Sequence, residues 1–419
     1  MKTESVHRVA VTGIGVVGGL GMGIDALWTR LMAGESTLAP IAGIDTAGLK
    51  TRVGSEVQNA ALAAAMKDAN LPPSDRCIDM ALLAAGQALR QSGLPLPAPE
   101  APPLDAAVLF GASIGVGHTM FESCRSFASR GVRGIRPTTV PRAMPNAISA
   151  RVSMHYRLGG ANYVVSCACS SSTAVLGIAF RAIRHGYSAR VLCGGTDAPF
   201  EPFVYSAWNN LGVLSREPDP ARACRPFDRD RDGFVLGEGA GAVLLESLEA
   251  ARERGAPILA EVLGYGESSD ADHVTRPNPA GQERAIRQAL ATAGIAPEEI
   301  GFINAHGTAT KVSDPCEALS LRRALGPALD RIPVVSYKSY QGHLLGASGV
   351  VEFAMTVEAL RRGYVPANLK LDNPDPECDL CFVRGSPIPL AAPVALKNCF
   401  GFGGNNTVLV LRRYEDAQR

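Results

Sequence analysis

Aromatic side chains are few in this sequence, 6% of 419 residues, with only two tryptophans. Charged residues are also sparse, at 19%, and they balance: 41 basic against 40 acidic, a net charge of +1. A chain with no basic field has no general attraction for nucleic acid or an anionic membrane surface, so neither is an expected partner. Residues 158–180 carry no charge, but the centre of that run is Ser166-Cys167-Ala168-Cys169-Ser170-Ser171-Ser172-Thr173. It is too polar for a membrane span. Ten cysteines are too dilute for a disulfide scaffold. The apolar stretch 9–24 is broken by glycines and has no small-residue cleavage site, so it reads as a buried strand and turn rather than a secretion signal. A reduced, cytoplasmic protein is expected.

What the chain has is apolar material, 46%, with 44 glycines and 29 prolines. That supplies a large core and many tight turns, and it excludes a disordered or fibrous protein. Length alone suggests two or three domains or one large fused core. Short apolar runs alternate with amphipathic ones. Strands are expected at 8–11, 106–111, 162–165, 190–193, 240–246 and 258–265, with helices at 78–92 and 170–185. The rhythm recurs after residues 250–265: helices at 282–293, 316–325 and 349–361, strands at 301–305, 334–336, 394–398 and 407–412. Such alternation implies an α/β protein with mostly buried sheets.

Three motifs invite functional readings that their surroundings weaken. Gly13-Ile14-Gly15-Val16-Val17-Gly18 fits a dinucleotide-binding pattern, yet Gly19, Gly21 and Gly23 interrupt the helix that would receive the pyrophosphate. A glycine-rich turn is expected instead. Asp228-Arg229-Asp230-Arg231-Asp232-Gly233 resembles the start of a calcium loop. However, its twelfth position is Gly239, and Arg225, Arg229 and Arg231 compete for the carboxylates, so a salt-bridged turn is expected. Cys378-Asp379-Leu380-Cys381 has zinc-ligand spacing but no second pair, and no metal is expected.

Chemistry concentrates elsewhere. Cys169 lies between a strand and a long helix, where a sharp turn exposes a side chain and the helix N-terminus favours a thiolate. Histidine is scarce, seven in all. Two occur in turns directly after strands, His306 in Asn304-Ala305-His306-Gly307-Thr308-Ala309-Thr310 and His343 in Gly342-His343-Leu344-Leu345-Gly346, the latter close to Lys338. The carboxyl ends of strands are where α/β sites form.

These segments, together with Asn398-Cys399-Phe400-Gly401-Phe402-Gly403-Gly404-Asn405-Asn406, Arg225-Pro226-Phe227-Asp228 and Val11-Thr12-Gly13-Ile14-Gly15, resemble the Cys-His-His β-ketoacyl-acyl-carrier-protein synthases of the thiolase superfamily. They occur in that family's order over nearly the whole chain. The resemblance implies a thiolase fold, two similar halves (1–255 and 256–419) in a five-layer α-β-α-β-α core, and a homodimer or a heterodimer with another ketosynthase-like subunit. It implies decarboxylative condensation of malonyl-carrier protein with an acyl group on Cys169, with the acyl carrier protein as partner. No cofactor is implied beyond the phosphopantetheine arm that the carrier brings.

By the same resemblance His306 and His343 hold the malonyl thioester, and Lys338 with Glu352 sets local charge. The backbone N–H groups of Cys169 and Phe402 form the oxyanion hole. Thr308 and Thr310 bind the arm, Phe402 gates, Phe400, Ile114 and Trp208 shape the pocket, and Asp314 supports it. Arg76, Arg133 and Arg136 are the docking residues implied, with Arg130 and Arg142 nearby. Gly212 stands where family members often carry an arginine, which implies a non-housekeeping carrier protein; Thr138-Thr139 and Trp208 also depart from common family residues and imply a reshaped pocket for a specialised polyketide or polyene substrate. A non-catalytic chain-length subunit and a Cys-dependent hydrolase are the alternatives; the first is disfavoured by the complete Cys-His-His set, the second by Lys338 and the second histidine.

Overall fold

The computed structural model describes residues 6–415. Ten strands form its framework. In the first half these are β1 (Val9–Gly18), β2 (Ala107–Gly111), β3 (Asn162–Val165), β4 (Arg190–Asp197) and β5 (Gly239–Ser247). In the second they are β6 (Ala260–Ser269), β7 (Phe302–Asn304), β8 (Val334–Val335), β9 (Val394–Gly401) and β10 (Asn405–Arg413). The spatial orders are β3-β2-β4-β5-β1 and β8-β7-β9-β10-β6. Ranked by chain position, both are 3-2-4-5-1. The directions agree too: the first three strands in each row are parallel, and the last two steps are antiparallel. The halves join edge to edge where Val9 of β1 pairs antiparallel with Val262 of β6.

Period-two alternation explains the layering. On β5, Val243 and Leu245 face one core cluster while Ala240, Ala242 and Leu244 face another. On β10, Leu409 and Leu411 face the first of these, and Val408 and Val410 face a third. A strand apolar on both sides must be covered on both. The covers are helices α1 (Arg76–Ser92) and α2 (Ala147–Tyr156) outside the first sheet, α3 (Ser171–Arg184) between the sheets, α4 (Pro279–Ala293) and α5 (Ser313–Leu325) outside the second, and α6 (Ser348–Arg362) beside α3 in the middle. Val175, Leu176 and Phe180 of α3 share the central cluster with Val350, Phe353 and Val357 of α6. Three apolar clusters fill the four interfaces between five layers, the central cluster lying on both sides of the middle helices, as a thiolase fold requires.

Two expectations change. The strand read at 8–11 runs on to Gly18, so the Gly-x-Gly-x-x-Gly run lies inside a buried strand, not a turn. A Cβ at Gly13 or Gly15 would collide with the carbonyl oxygens of Ala88 and Ala84 on α1, so these glycines let the helix lie against the strand. No element is expected between 111 and 162, yet that stretch holds helices Gly117–Arg130 and Thr139–Ala143 as well as α2, and leaves Phe127, Val132 and Val140 exposed. The Asp228–Asp232 run is a salt-bridged turn: Arg231 is buried on Asp375 at 2.6 Å, and Asp228 accepts the N–H groups of Asp230, Asp372 and Asn373. All ten cysteines are free, Cys378 buried and Cys381 exposed. Among the described residues, no helix is long and apolar enough to cross a membrane.

Candidate functional site

The site forms where loops from both halves meet over the two middle helices. Cys169 sits in the five-residue link from β3 to α3. Its predecessor Ala168 has φ 50°, a left-handed conformation for a residue with a Cβ, which makes the turn sharp. Ser171 Oγ reinforces the turn by accepting the Cys167 N–H at 2.9 Å and donating to Ala168 O at 2.6 Å. From the other half, β9 presses against this elbow. Cys399 Sγ donates to Cys169 O at 3.2 Å, and Ser170 Oγ donates to Cys399 O at 3.0 Å. A Cβ at Gly401 would lie 2.8 Å from Cys167 O and 3.2 Å from Cys169 N, so only glycine permits this approach.

The histidines follow β7 and β8. His306 is held by its backbone: its N–H donates to Glu317 Oε1 at 2.8 Å, and its carbonyl accepts from Lys338 Nζ at 2.5 Å. The adjoining Gly307 and Thr308 N–H groups go to Glu317 and Asp314 of α5. His343 is held by its ring. Nδ1 accepts the Leu345 N–H at 3.2 Å and the Ser348 hydroxyl at 2.7 Å, while Ser348 Oγ accepts from Leu344 N–H. An Nδ1 that accepts a backbone N–H bears no hydrogen, so the neutral ring carries its proton on Nε2. That Nε2 is buried without a protein partner, as is His306 Nδ1. The rings lie 5.5 Å apart, nearly perpendicular. Burial, then the positive charge of Lys338, holds both histidines well below their ordinary value, so both are neutral at pH 7.

Cys169, His306 and His343 all line one cavity of about 450 Å³, together with Thr308, Thr310, Phe400 and Phe402. Phe400 meets the His306 ring edge-on at 5.9 Å. Phe402 stacks on Trp208 at 6.1 Å, and its N–H points at the Cys169 sulfur. Trp208 and Ile114 do not line the cavity. Trp208 stands behind Phe402, and Ile114 packs in the cluster of Tyr205, Phe234 and Leu345. Lys338 is fully buried, 2.6 Å from Glu352 Oε1. Burial opposes its charge, but Glu352 and neighbouring acids hold it protonated, above the ordinary lysine range.

Two sequence expectations are corrected here. Burial, with a smaller contribution from Cys399 and against Lys338 and the Phe402 N–H, pushes the Cys169 thiol up to about 12. That is roughly 4 kcal/mol against the thiolate, and a helix N-terminus returns at most ~2 kcal/mol. Cys169 therefore rests as a thiol. Arg76, expected on a docking face, is committed elsewhere: its guanidinium holds the buried Glu238 at 2.6 Å, Asn59 Oδ1 and Val57 O. Arg133 and Arg136 instead line an open groove of about 570 Å³ beside Arg130 and Arg142.

Glu317, Ser348, Asp197 and Lys397 were not singled out by sequence reasoning. Asp197 accepts four N–H groups, from Ser113, Ile114, Gly115 and Gly346, tying the first half's loop to the His343 loop. Its position directly after Gly194-Gly195-Thr196 at a strand end was the available signal. Glu317 and Ser348 look like ordinary helix residues until the fold turns them inward.

Residues 6–251 match the N-terminal domain of β-ketoacyl synthases and residues 259–372 the C-terminal domain. The chain belongs to the β-ketoacyl synthase family. It is accordingly a condensing acyltransferase. It is 38% identical to 3-oxoacyl-[acyl-carrier-protein] synthase 2 of Synechocystis, over 99% of this chain and all of that one. Two solved structures each superpose with a TM-score of 0.89 over 98% of this chain and all of theirs. One is the ishigamide ketosynthase/chain length factor, at 32% identity. The other is a type II polyketide synthase acyl-carrier protein in complex with its ketosynthase bound to the hexaketide, at 28%.

Proposed function

We propose that this ketosynthase extends an acyl chain by decarboxylative Claisen condensation, with residues 1–255 supplying the nucleophile and 256–419 both histidines. The observation that carries this reading is the convergence of a buried thiol and two neutral imidazoles, with His343 Nε2–H unpartnered, on one cavity. In the first half-reaction Cys169 sulfur attacks the thioester of an acyl carrier protein. The acyl group moves to Cys169, and the thiol proton ends on the departing phosphopantetheine thiol. The N–H groups of Cys169 and Phe402 stabilise the oxyanion. A malonyl thioester then enters past Thr308 and Thr310. His306 and His343 hold its carbonyl oxygen, the carboxylate leaves as carbon dioxide, and the resulting enolate attacks the acyl carbonyl. Cys169 departs and regains a proton, leaving a 3-oxoacyl carrier protein. Neutral donors suit this step, because each hydrogen bond strengthens as charge grows on the thioester oxygen.

The arm arrives on the carrier, and no resident cofactor is invoked. Arg133 and Arg136, which make no ion pair among the described residues, are the cations offered to an acidic carrier. The exposed Phe127, Val132 and Val140 and the edge strand β3 with exposed Tyr163 fit a second ketosynthase-like subunit, identical or not. Ten free cysteines fit a reducing cytoplasm. The test is incubation with acyl- and malonyl-carrier protein. The acyl mass should appear on Cys169, and carbon dioxide release with a 3-oxoacyl product should follow. Cys169→Ala should lose condensation by about 10³-fold or more; condensation surviving in that variant overturns the reading.

A further inference from the structure

Lys397 lies on β9 inside the molecule, a place where a lysine is costly unless its charge has a task. It is fully buried. Its ammonium donates to Glu352 Oε2 at 2.7 Å and to its neighbour's carbonyl, Asn398 O, at 2.7 Å. Glu352 Oε1 takes Lys338 at 2.6 Å, and Lys338 reaches His306 O at 2.5 Å. On the opposite side of His306, its N–H donates to Glu317, which accepts from Asn398 Nδ2 at 3.0 Å. The contacts close a ring: His306, Lys338, Glu352, Lys397, Asn398, Glu317 and back to His306. One carboxylate is shared by two lysines, so this triad carries a net positive charge beside both imidazoles. The same strand continues to Cys399, which holds the Cys169 carbonyl, and to Phe400 against the His306 ring.

We infer that Lys397 is a positioning residue of the condensation: it closes the ring that fixes His306 relative to Cys169, and supplies the second positive charge that keeps the malonyl-binding imidazoles neutral. It does so without touching substrate, since it does not line the cavity. The titratable groups that hold the two histidine loops or join them to the nucleophile are Lys338 from the link after β8, Glu352 from α6, Lys397 and Cys399 from β9, Glu317 and Asp314 from α5, Asp197 from β4 and the thiol of Cys169. The acids among them are engaged: Glu317, Asp314 and Asp197 by backbone N–H groups, Glu352 by the lysines. Lys397 is also among the charges that depress both histidines, after burial and Lys338 and, for His306, after His343.

The inference rests on the condensing reading above, so the test includes a measurement independent of turnover. Lys397→Met keeps the unbranched shape, one atom shorter, and removes the charge. Malonyl-carrier decarboxylation by this variant should fall about tenfold in kcat with KM little changed. The acid limb of its pH profile should move up by about one pH unit, because a histidine relieved of a neighbouring positive charge protonates more easily. Histidine-selective NMR should show the same upward movement whether or not the protein turns over. Unchanged kcat, an unchanged acid limb and unchanged titration in a folded Lys397→Met protein overturn the inference. Absence of decarboxylation in the unmodified enzyme would instead sink the condensing reading and leave the NMR result to decide. Should Lys397→Met not fold, Lys397→Ala is compared in ammonium and sodium chloride at equal ionic strength. Recovery with ammonium alone supports the inference. Equal behaviour in both salts, or failure of both variants to fold, overturns it by making Lys397 purely structural.

Discussion

The loops after the second and third strands of each half occupy equivalent places in the same 3-2-4-5-1 sheet, yet they are built differently. In the first half the loop after β2 is held by one carboxylate, Asp197, on three consecutive N–H groups. In the second half the loop after β7 is held by two, Glu317 and Asp314, again on three consecutive N–H groups. The link after β3 is five residues long and carries a neutral sulfur braced by serine hydroxyls. The link after β8 is twelve residues long and carries Lys338 and His343 into a buried set of charges. The device is shared, a buried acid gripping a loop's backbone. The chemistry differs because an uncharged nucleophile needs only a sharp turn and an apolar wall. Two donors that must stay neutral also need a fixed positive field. On the proposed mechanism the duplicated architecture divides the labour: one half would hold the acyl group, the other would handle the charge that develops on the second thioester.

That division is open to attack. The largest effect should come from removing the second half's donors. His343→Ala or His306→Ala should lower malonyl decarboxylation by about 10²–10³-fold while Cys169 still acquires an acyl group, as read by intact mass. If acylation falls as far as decarboxylation, the halves do not divide the reaction. Next come the acids that grip the loops. Asp197→Asn and Glu317→Gln each leave backbone donors facing an amide, at a cost of ~1–3 kcal/mol in denaturant unfolding. Asp197→Asn should disturb acylation and decarboxylation alike, since Asp197 also holds Gly346 beside His343, whereas Glu317→Gln should spare acylation. The smallest effect concerns pH. Both histidines titrate well below 6.5 when folded and near 6.5 when unfolded. The unfolded chain therefore takes up more protons as pH falls, and stability present above 6.5 is lost below it. Each histidine should contribute ~1–2 kcal/mol of that loss by pH 5. A His306→Asn, His343→Asn double variant should show a flatter dependence of Tm on pH between 7 and 5.

The α/β class, all ten framework strands and five of the six covering helices were legible in the sequence, because a strand buried on both faces must be apolar and a helix beside it must be amphipathic. Cys169, His306, His343 and Lys338 were legible because each sits in an unusual turn after a strand. The stretch 112–156 was not: its first two helices are exposed and lack an apolar face that packs, and α2 buries only Ala147, Ile148, Ser149 and Val152. Glu317, Ser348, Asp197 and Lys397 were not, since a single polar residue in a helix or strand looks the same whether it faces water or a buried backbone.

By itself, then, the sequence determined which residue types were available and the order in which strands, turns and helices would follow one another, since these depend on neighbours along the chain. Only the tertiary structure decided the ionisation of Cys169, the tautomer of His343, the commitment of Arg76 to Glu238 and the ring through Lys397. Each depends on burial and on partners that the fold brings together, from 1 to 230 positions away. In a low-dielectric interior it is these partners, not the residue itself, that set charge and direction.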